Sequence, residues 1–362
     1  VEGFFHHFRG DRDMKVVIVF DNADKRTSED QVAIFQHALA FSNANPCSSC
    51  IAMRDETYDI YASSPPLDAI SKHRVFRIEP PRLLDVVSKR LDMMVEYLEE
   101  NLPPKLSYSL QNGVVVEYPR DDLREYLRKV YSDIFSTKRV VRDMVSDIAS
   151  KNIRKTLEMF TGILISPYLE PEKVGFGAKY SDKPIPEWTV LRALLRGRYT
   201  FYSDLRGESH IHNIFQIPDR SHSCSNYLIP ELLSILIRER KRSGELGVEG
   251  YVRVERLLSS PELMGFARDD ILWAVQYSIR HGLATAESIG RSTITSESHV
   301  KITSSGWYHL RVLLERQEYI QNVAMSTWIL DANAAINIAD SMPVRHPLRC
   351  DAFPQSEISA MH

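Results

Sequence analysis

Cysteine is scarce in this chain, with four among 362 residues, at positions 47, 50, 224 and 350. So few, so unevenly placed, exclude a disulfide framework and fit a reducing cytoplasm. Cys47-Ser48-Ser49-Cys50 has half of a zinc-site spacing, yet no second pair follows, and the nearest histidines, His37 and His73, lack ligand-like spacing. No metal is expected there; the first cysteine is expected in a loop and the second at the start of a buried strand. No apolar run approaches the roughly eighteen residues of a membrane-spanning helix, and the N-terminus has no secretory signal pattern, so no membrane partner is expected. An excess of charge is missing too: 45 Lys and Arg stand against 48 Asp and Glu, a formal net charge of -3. Nothing draws the whole chain toward nucleic acid, and any basic surface must be local. An initiator methionine is also absent: the chain opens at Val1 and enters an apolar stretch by Lys15, as expected of a piece of a longer protein.

What is present is an ordinary globular composition, 43% apolar and 26% charged, over a length that accommodates two or three domains. The run Val16-Val17-Ile18-Val19-Phe20, ending in Asp21, predicts a parallel strand buried on both faces. Residues 28–42 follow with helical spacing; Val32, Phe35 and Leu39 form the apolar stripe, and Ser28 with Gln31 a capping box. A second short buried strand is expected at 49–53, ending at Arg54, and a third at 75–78. Strand, helix and strand make one crossover, so residues 1–80 read as the C-terminal half of an α/β core.

After Pro80-Pro81 the period changes. Residues 82–102, 120–135 and 138–165 are helical by spacing, and Asn112-Gly113 between alternating residues predicts a type I′ hairpin near 106–119. Residues 81–165 thus read as a helical domain with a hairpin insert. Residues 166–227, rich in Pro, Gly, Ser and Tyr, read as a linker with short helices, including 187–197. Over 228–318 the expected order is helix 229–242, helix 251–260, helix 268–281, strand 283–287, polar loop 288–297, strand 299–303 and helix 307–318. Three helices, a two-stranded wing and a closing helix is the winged-helix arrangement. One more helix is expected within 319–342, then a polar tail at 343–362.

The strongest candidate site is Val16–Asp24, VVIVFDNAD. A carboxylate at the carboxyl end of a buried parallel strand stands where open α/β sheets bind ligands. Four hydrophobics, Asp, then Asn-x-Asp resembles the Walker B segment of STAND-class and related AAA+ ATPases. The stretch IAMRDET, with Arg54 at its strand end, resembles their sensor 1 strand. Ser150-Lys151-Asn152-Ile153-Arg154, with the apolar stripe after it, is similar to the sensor 2 helix of AAA+ ATPases related to replication initiators. The resemblance covers about residues 15–165 and continues as winged-helix character from 228 to 318. It implies a partial P-loop NTPase α/β core, a mostly helical lid and a winged-helix domain, predominantly helical overall. It implies ATP and Mg²⁺ as cofactors, with Asp21 as the metal-side carboxylate, Asp24 or the Asn22 amide orienting water, and Arg54 and Arg154 on the γ-phosphate. Plainer readings stand beside these: a turn at Asp21-Asn22, Arg54 paired with Asp55 or Glu56, and Arg154 as the arginine of an ordinary amphipathic helix.

The phosphate-binding loop of such enzymes, G-x-x-x-x-G-K-[ST], occurs nowhere in the chain. Its backbone amides and lysine cradle the phosphates, so this polypeptide alone is expected to bind nucleotide poorly and hydrolyse none. Many relatives also place glutamate beside the Walker B aspartate. Asn22 cannot accept a proton, which points to a slow switch rather than a motor.

Winged helices often set their third helix in the DNA major groove. Here that helix opens with Asp269 and Asp270, and residues 225–318 carry twelve Lys and Arg against twelve Asp and Glu. Trp273, Gln276, Tyr277 and Arg280 are expected to face outward. The basic run Arg238 to Arg242 suits a helix C-terminus as well as a phosphate backbone. DNA contact and protein contact both stay open, as does self-association, with Arg26 or Arg74 acting across an interface. His6-His7 and His210-x-His212 lack metal-ligating partners at suitable spacing, and Tyr199-Thr200-Phe201-Tyr202 is expected to pack between lid and winged helix. The function expected is that of the C-terminal part of an ATP-dependent switch, an ATPase only if an upstream region supplies the P-loop. The alternative is a non-catalytic winged-helix scaffold that binds DNA or protein.

Overall fold

A β-branched run pairs wherever a crossover helix returns the chain beside it, and the first elements follow that rule. β1 (Val16–Phe20) and β2 (Cys47–Ile51) lie parallel, from Val16 opposite Cys47 to Phe20 opposite Ile51. α1 (Ser28–Ala44) connects them and packs on β2. The computed structural model describes residues 5, 7–8, 12, 14–23, 26, 28–45, 47–53, 58, 76, 81, 83–109, 115–137, 139–150, 152–169, 184–204, 209–218, 224–240, 249–286, 294–329 and 331–341. Of the strand expected at 75–78 the described residues include Phe76 alone, which is 87% exposed, and the tail at 343–362 lies outside them.

Two expectations about this unit change. β1 is not buried on both faces: Val17 is 56% and Val19 63% exposed. The reason is layering. Among the described residues β1 pairs with β2 alone, and α1 covers one face. β2 also starts two residues early, so Cys47 and Cys50 are both in the strand, half-buried and exposed respectively, and free. Gln31 is buried and its amide donates to the carbonyl of Arg26 at 2.8 Å.

The rest of the described chain is predominantly helical and shares one apolar core from Val87 to Val323. α2 (Leu83–Asn101) buries Val87, Leu91, Val95 and Leu98, one residue per turn, and Val87, Leu91 and Leu98 join that core. β3 (Lys105–Ser109) and β4 (Val115–Pro119) form the expected hairpin. Their register pairs Ser109 with Val115, one residue off the pairing that a two-residue turn at Asn112-Gly113 requires; the turn itself lies outside the described residues. α3 (Arg120–Tyr131) runs on into a π-helical segment, Ser132–Thr137.

The helix predicted over 138–165 is two helices, α4 (Arg139–Ile148) and α5 (Ile153–Leu164). Ser150, at φ 50°, ends the first, and the Asn152 side chain caps the second by accepting from the Lys155 amide at 3.1 Å. α6 (Glu187–Arg196) follows, and Arg196 Nε donates to Asn322 Oδ1 at 2.6 Å.

The last third runs α7 (Leu228–Glu239), β5 (Val252–Arg253), α8 (Val254–Leu258), α9 (Arg268–Arg280), β6 (Ala284–Ala286), β7 (His299–Ile302), α10 (Ser304–Arg311), α11 (Gln317–Ser326) and α12 (Ala332–Ser341). The strands form one antiparallel sheet in the order β5-β7-β6. α10 packs against α4, so the helical region and the last third are joined through buried side chains.

Candidate functional site

The N-cap at Asn152 fixes which way each residue of α5 points. Thr156, Met159, Phe160 and Ile163 enter the core. Arg154, Leu157, Glu158 and Thr161 face α2 across a groove of about 1240 Å³. The opposite wall is Arg90, Met93, Met94 and Tyr97, and Arg198 and His210 close one end. Met93 (60%), Tyr97 (62%) and Ile165 (63%) are far more exposed than apolar side chains ordinarily are, so the groove has an apolar floor that no described residue covers. Among the described residues Arg90 and Arg154 make no hydrogen bond or ion pair, and Glu158 is the one carboxylate of the lining. A recess with unpaired guanidinium groups at its rim fits an anionic ligand, because each guanidinium offers forked donors to phosphate or carboxylate oxygens. A smaller recess of about 440 Å³ beside α7 differs: Arg238 is paired with Glu262 at 2.7 Å and Arg256 with Glu239 at 3.5 Å.

Asp21 follows β1 and is exposed; one carboxylate oxygen accepts the Asn22 amide at 2.8 Å. Asn22 sits at φ 59°, a conformation asparagine tolerates better than most residues. Asp21 and Asn22 are thus together, and Arg154 stands on the helical groove, with no hydrogen bond or ion pair between them among the described residues. Asp24 and Arg54 lie outside the described residues, as does Arg74, and Arg26 is exposed. The described residues hold no group of three or more metal-ligating side chains. No described helix is long and apolar enough to cross a membrane.

A second cluster had almost no signal in the sequence. Segment 209–217 lies over α9, α10 and α11. The His309 Nε2 accepts the backbone N–H of His212 at 3.0 Å, while its Nδ1 donates to the Ser305 carbonyl at 2.7 Å. His212 Nδ1 meets His281 Nδ1 at 3.1 Å, one donating and the other accepting. Tyr319 donates to the carbonyl of His212 at 2.8 Å. Tyr277 donates to Asp204 Oδ2 at 2.9 Å and lies 3.0 Å from the Asn213 carbonyl, and Tyr202 donates to Asp204 Oδ1.

Burial is the largest influence on every ring here. It lowers His309 to about 4, and it holds His212 well below the ordinary histidine range, helped by His281 and His309. Burial also lowers His210, His281 and Lys155, and raises Tyr202 and Tyr277. Tyr277 was expected to face outward; instead it is clamped under the linker. The reason is hydrogen bonding: Asp204, buried beside it, needs donors. Only His210-x-His212 hinted at this cluster in the sequence, because its other members come from positions 204, 277, 281, 309 and 319. Comparison with protein-family models, curated proteins and solved structures finds no match for the chain.

Proposed function

We propose that the chain is the C-terminal part of a nucleotide-dependent switch of AAA+/STAND type. Its helical lid carries a groove for the anionic end of ATP and passes lid movement to a winged-helix domain. The observation that carries this reading is the groove between α2 and α5, where Arg154 and Arg90 find no partner among the described residues above an apolar floor. In this reading Arg154 binds the γ-phosphate with Arg54, Asp21 holds Mg²⁺, and Asn22 or Asp24 orients water. Mg-ATP, when bound, would supply the phosphoanhydride and the negative charge that these arginines would meet. The phosphate cradle comes from outside this polypeptide, so hydrolysis is not expected of it alone. The open face of β1, with Val17 and Val19 exposed, supports a sheet completed by further elements. The order α7, β5, α8, α9, β6, β7 supports the winged-helix reading of the last third, and packing of α4 on α10 supplies the route for lid movement.

The test is to extend the chain upstream in its native reading frame and measure binding of labelled ATP. Binding that needs the extension and weakens in Arg154→Ala supports the switch. An extended protein with a phosphate-binding loop that binds no ATP sinks it.

One observation favours the second reading, a non-catalytic scaffold that contacts protein rather than DNA. The outward side of α9, the helix that winged helices put into the major groove, is covered at Tyr277 and His281 by the linker. A mobility shift on mixed-sequence duplex that weakens with salt counts against that reading.

A further inference from the structure

We infer that His309 is a proton-operated latch: its unprotonated Nε2 holds segment 209–217 over α9, and a proton on that nitrogen lets the segment lift. The inference goes beyond the switch reading and stands whether or not the chain binds nucleotide.

The geometry fixes the protonation state of the ring. Its Nδ1 faces the Ser305 carbonyl at 2.7 Å, with Ser305 Oγ at 3.5 Å, so Nδ1 carries the proton. Its Nε2 faces the backbone N–H of His212 at 3.0 Å and must offer a lone pair. Protonating Nε2 sets one donor against another, and the His212 amide loses its acceptor in a buried place. The charge would also be buried, since His309 is 0% exposed.

Among the described residues few groups nearby compensate such a charge. From the segment, His212 stacks on its ring with centroids 6.2 Å apart, and His210 acts on His212. His281 comes from the end of α9, with Arg280 beside it, and Lys155 reaches the cluster from α5. Tyr319 of α11 presents its ring edge-on at 6.2 Å. The carboxylates are Asp204, already engaged by Tyr202, Tyr277 and the Asn213 amide, and Glu158, which acts on Lys155 and His210. A second proton at the His212–His281 contact meets the same obstacle, because two protonated Nδ1 atoms cannot share a 3.1 Å contact. Lifting the segment gives each imidazole water. It also bares Tyr277 and His281, which with Trp273 form a ring stack along α9 with centroids 5.2 and 4.2 Å apart.

The experiment follows the imidazole and amide resonances of the whole chain by NMR from pH 7.5 to pH 4.5, with hydrogen exchange at His212 to Phe215 corrected for its intrinsic pH dependence. The open population is expected to rise about tenfold per pH unit for each proton the open state gains. Exchange at these amides should therefore rise below about pH 6.5 while the helices stay protected. In His309→Gln, whose side-chain oxygen accepts but does not titrate, that rise should lose about one proton of steepness. Three results overturn the latch: His212 to Phe215 stay protected down to pH 4.5; the segment opens only together with the helices; or His309→Gln leaves the steepness unchanged. Should His309→Gln fail to fold, the wild-type spectra still decide, since His309 titrating without a shift of the His212 amide also overturns it.

Discussion

A Cβ built on Gly306 would stand 2.1 Å from the carbonyl oxygen of Leu283. The first turn of α10 therefore lies directly on the backbone leading into β6. Thr303 seals the contact, its amide donating to the same carbonyl at 3.1 Å and its hydroxyl accepting from the Gly306 amide at 3.1 Å. An added methyl there meets backbone rather than the end of a flexible side chain. Gly306→Ala is expected to cost about 3 kcal/mol or more, near the top of the overpacking range, read from the midpoint of a urea melt. A cost below about 0.5 kcal/mol would mean that α10 and Leu283 are not in contact.

Tyr277→Phe removes one hydroxyl and leaves Asp204 short of a donor in a buried place. The expected loss is about 1–3 kcal/mol, with faster amide exchange in 209–217 than in α2. Equal acceleration everywhere would show that the hydroxyl does nothing particular to the segment.

Stability should fall on acidification, and the sign follows from His309. Its ordinary value is 6.5 and burial lowers it to about 4 in the folded chain. The fold therefore favours the neutral ring. Its contribution is complete above pH 6.5, shrinks as the pH falls toward about 4, and changes no further below that. Across the window this one group accounts for about 3 kcal/mol. Denaturant melts at pH 7 and pH 4.5 check it. A smaller difference between the two pH values in His309→Gln is the expected signature, and an equal difference assigns the acid loss to other groups.

How much of this was legible in the sequence depends on what each feature needs. The buried stripe Val87, Leu91, Val95 and Leu98 recurs once per helical turn, so α2 could be read from spacing alone. The break between α4 and α5 is hidden because the polar run Ser150-Lys151-Asn152 is short enough to pass for the solvent face of one continuous helix. Its cause is local, a Ser150 at positive φ and an Asn152 cap, and such polar residues also occur inside helices. Burial of β1 was misjudged because an apolar run reports what a strand can tolerate, whereas Val17 and Val19 depend on layers that the described chain does not place over them. The groove was half legible: Arg154 was singled out, but Arg90 and Arg198 join it only through helix packing. The histidine cluster draws on residues nearly a hundred positions apart, as in the His212–His309 bond, and no periodicity connects them.

The last prediction separates a binding arginine from a structural one. Arg154 is exposed and makes no ion pair among the described residues, so Arg154→Ala should leave the urea midpoint almost unchanged, within about 0.5 kcal/mol of stability. Arg90→Ala, across the groove, should behave alike. In a chain extended to include a phosphate-binding loop, the same changes should weaken ATP binding, because charge-assisted hydrogen bonds are lost. The scale is about 1.5–3 kcal/mol for each lost contact, or roughly tenfold to a hundredfold in Kd. Arg154→Lys discriminates further, since a lysine keeps the charge but not the forked donors, and it should recover only part of the loss. If Arg154→Ala and Arg90→Ala bind ATP as the parent does, the groove serves some other anionic partner, and the lid has no part in reading the nucleotide.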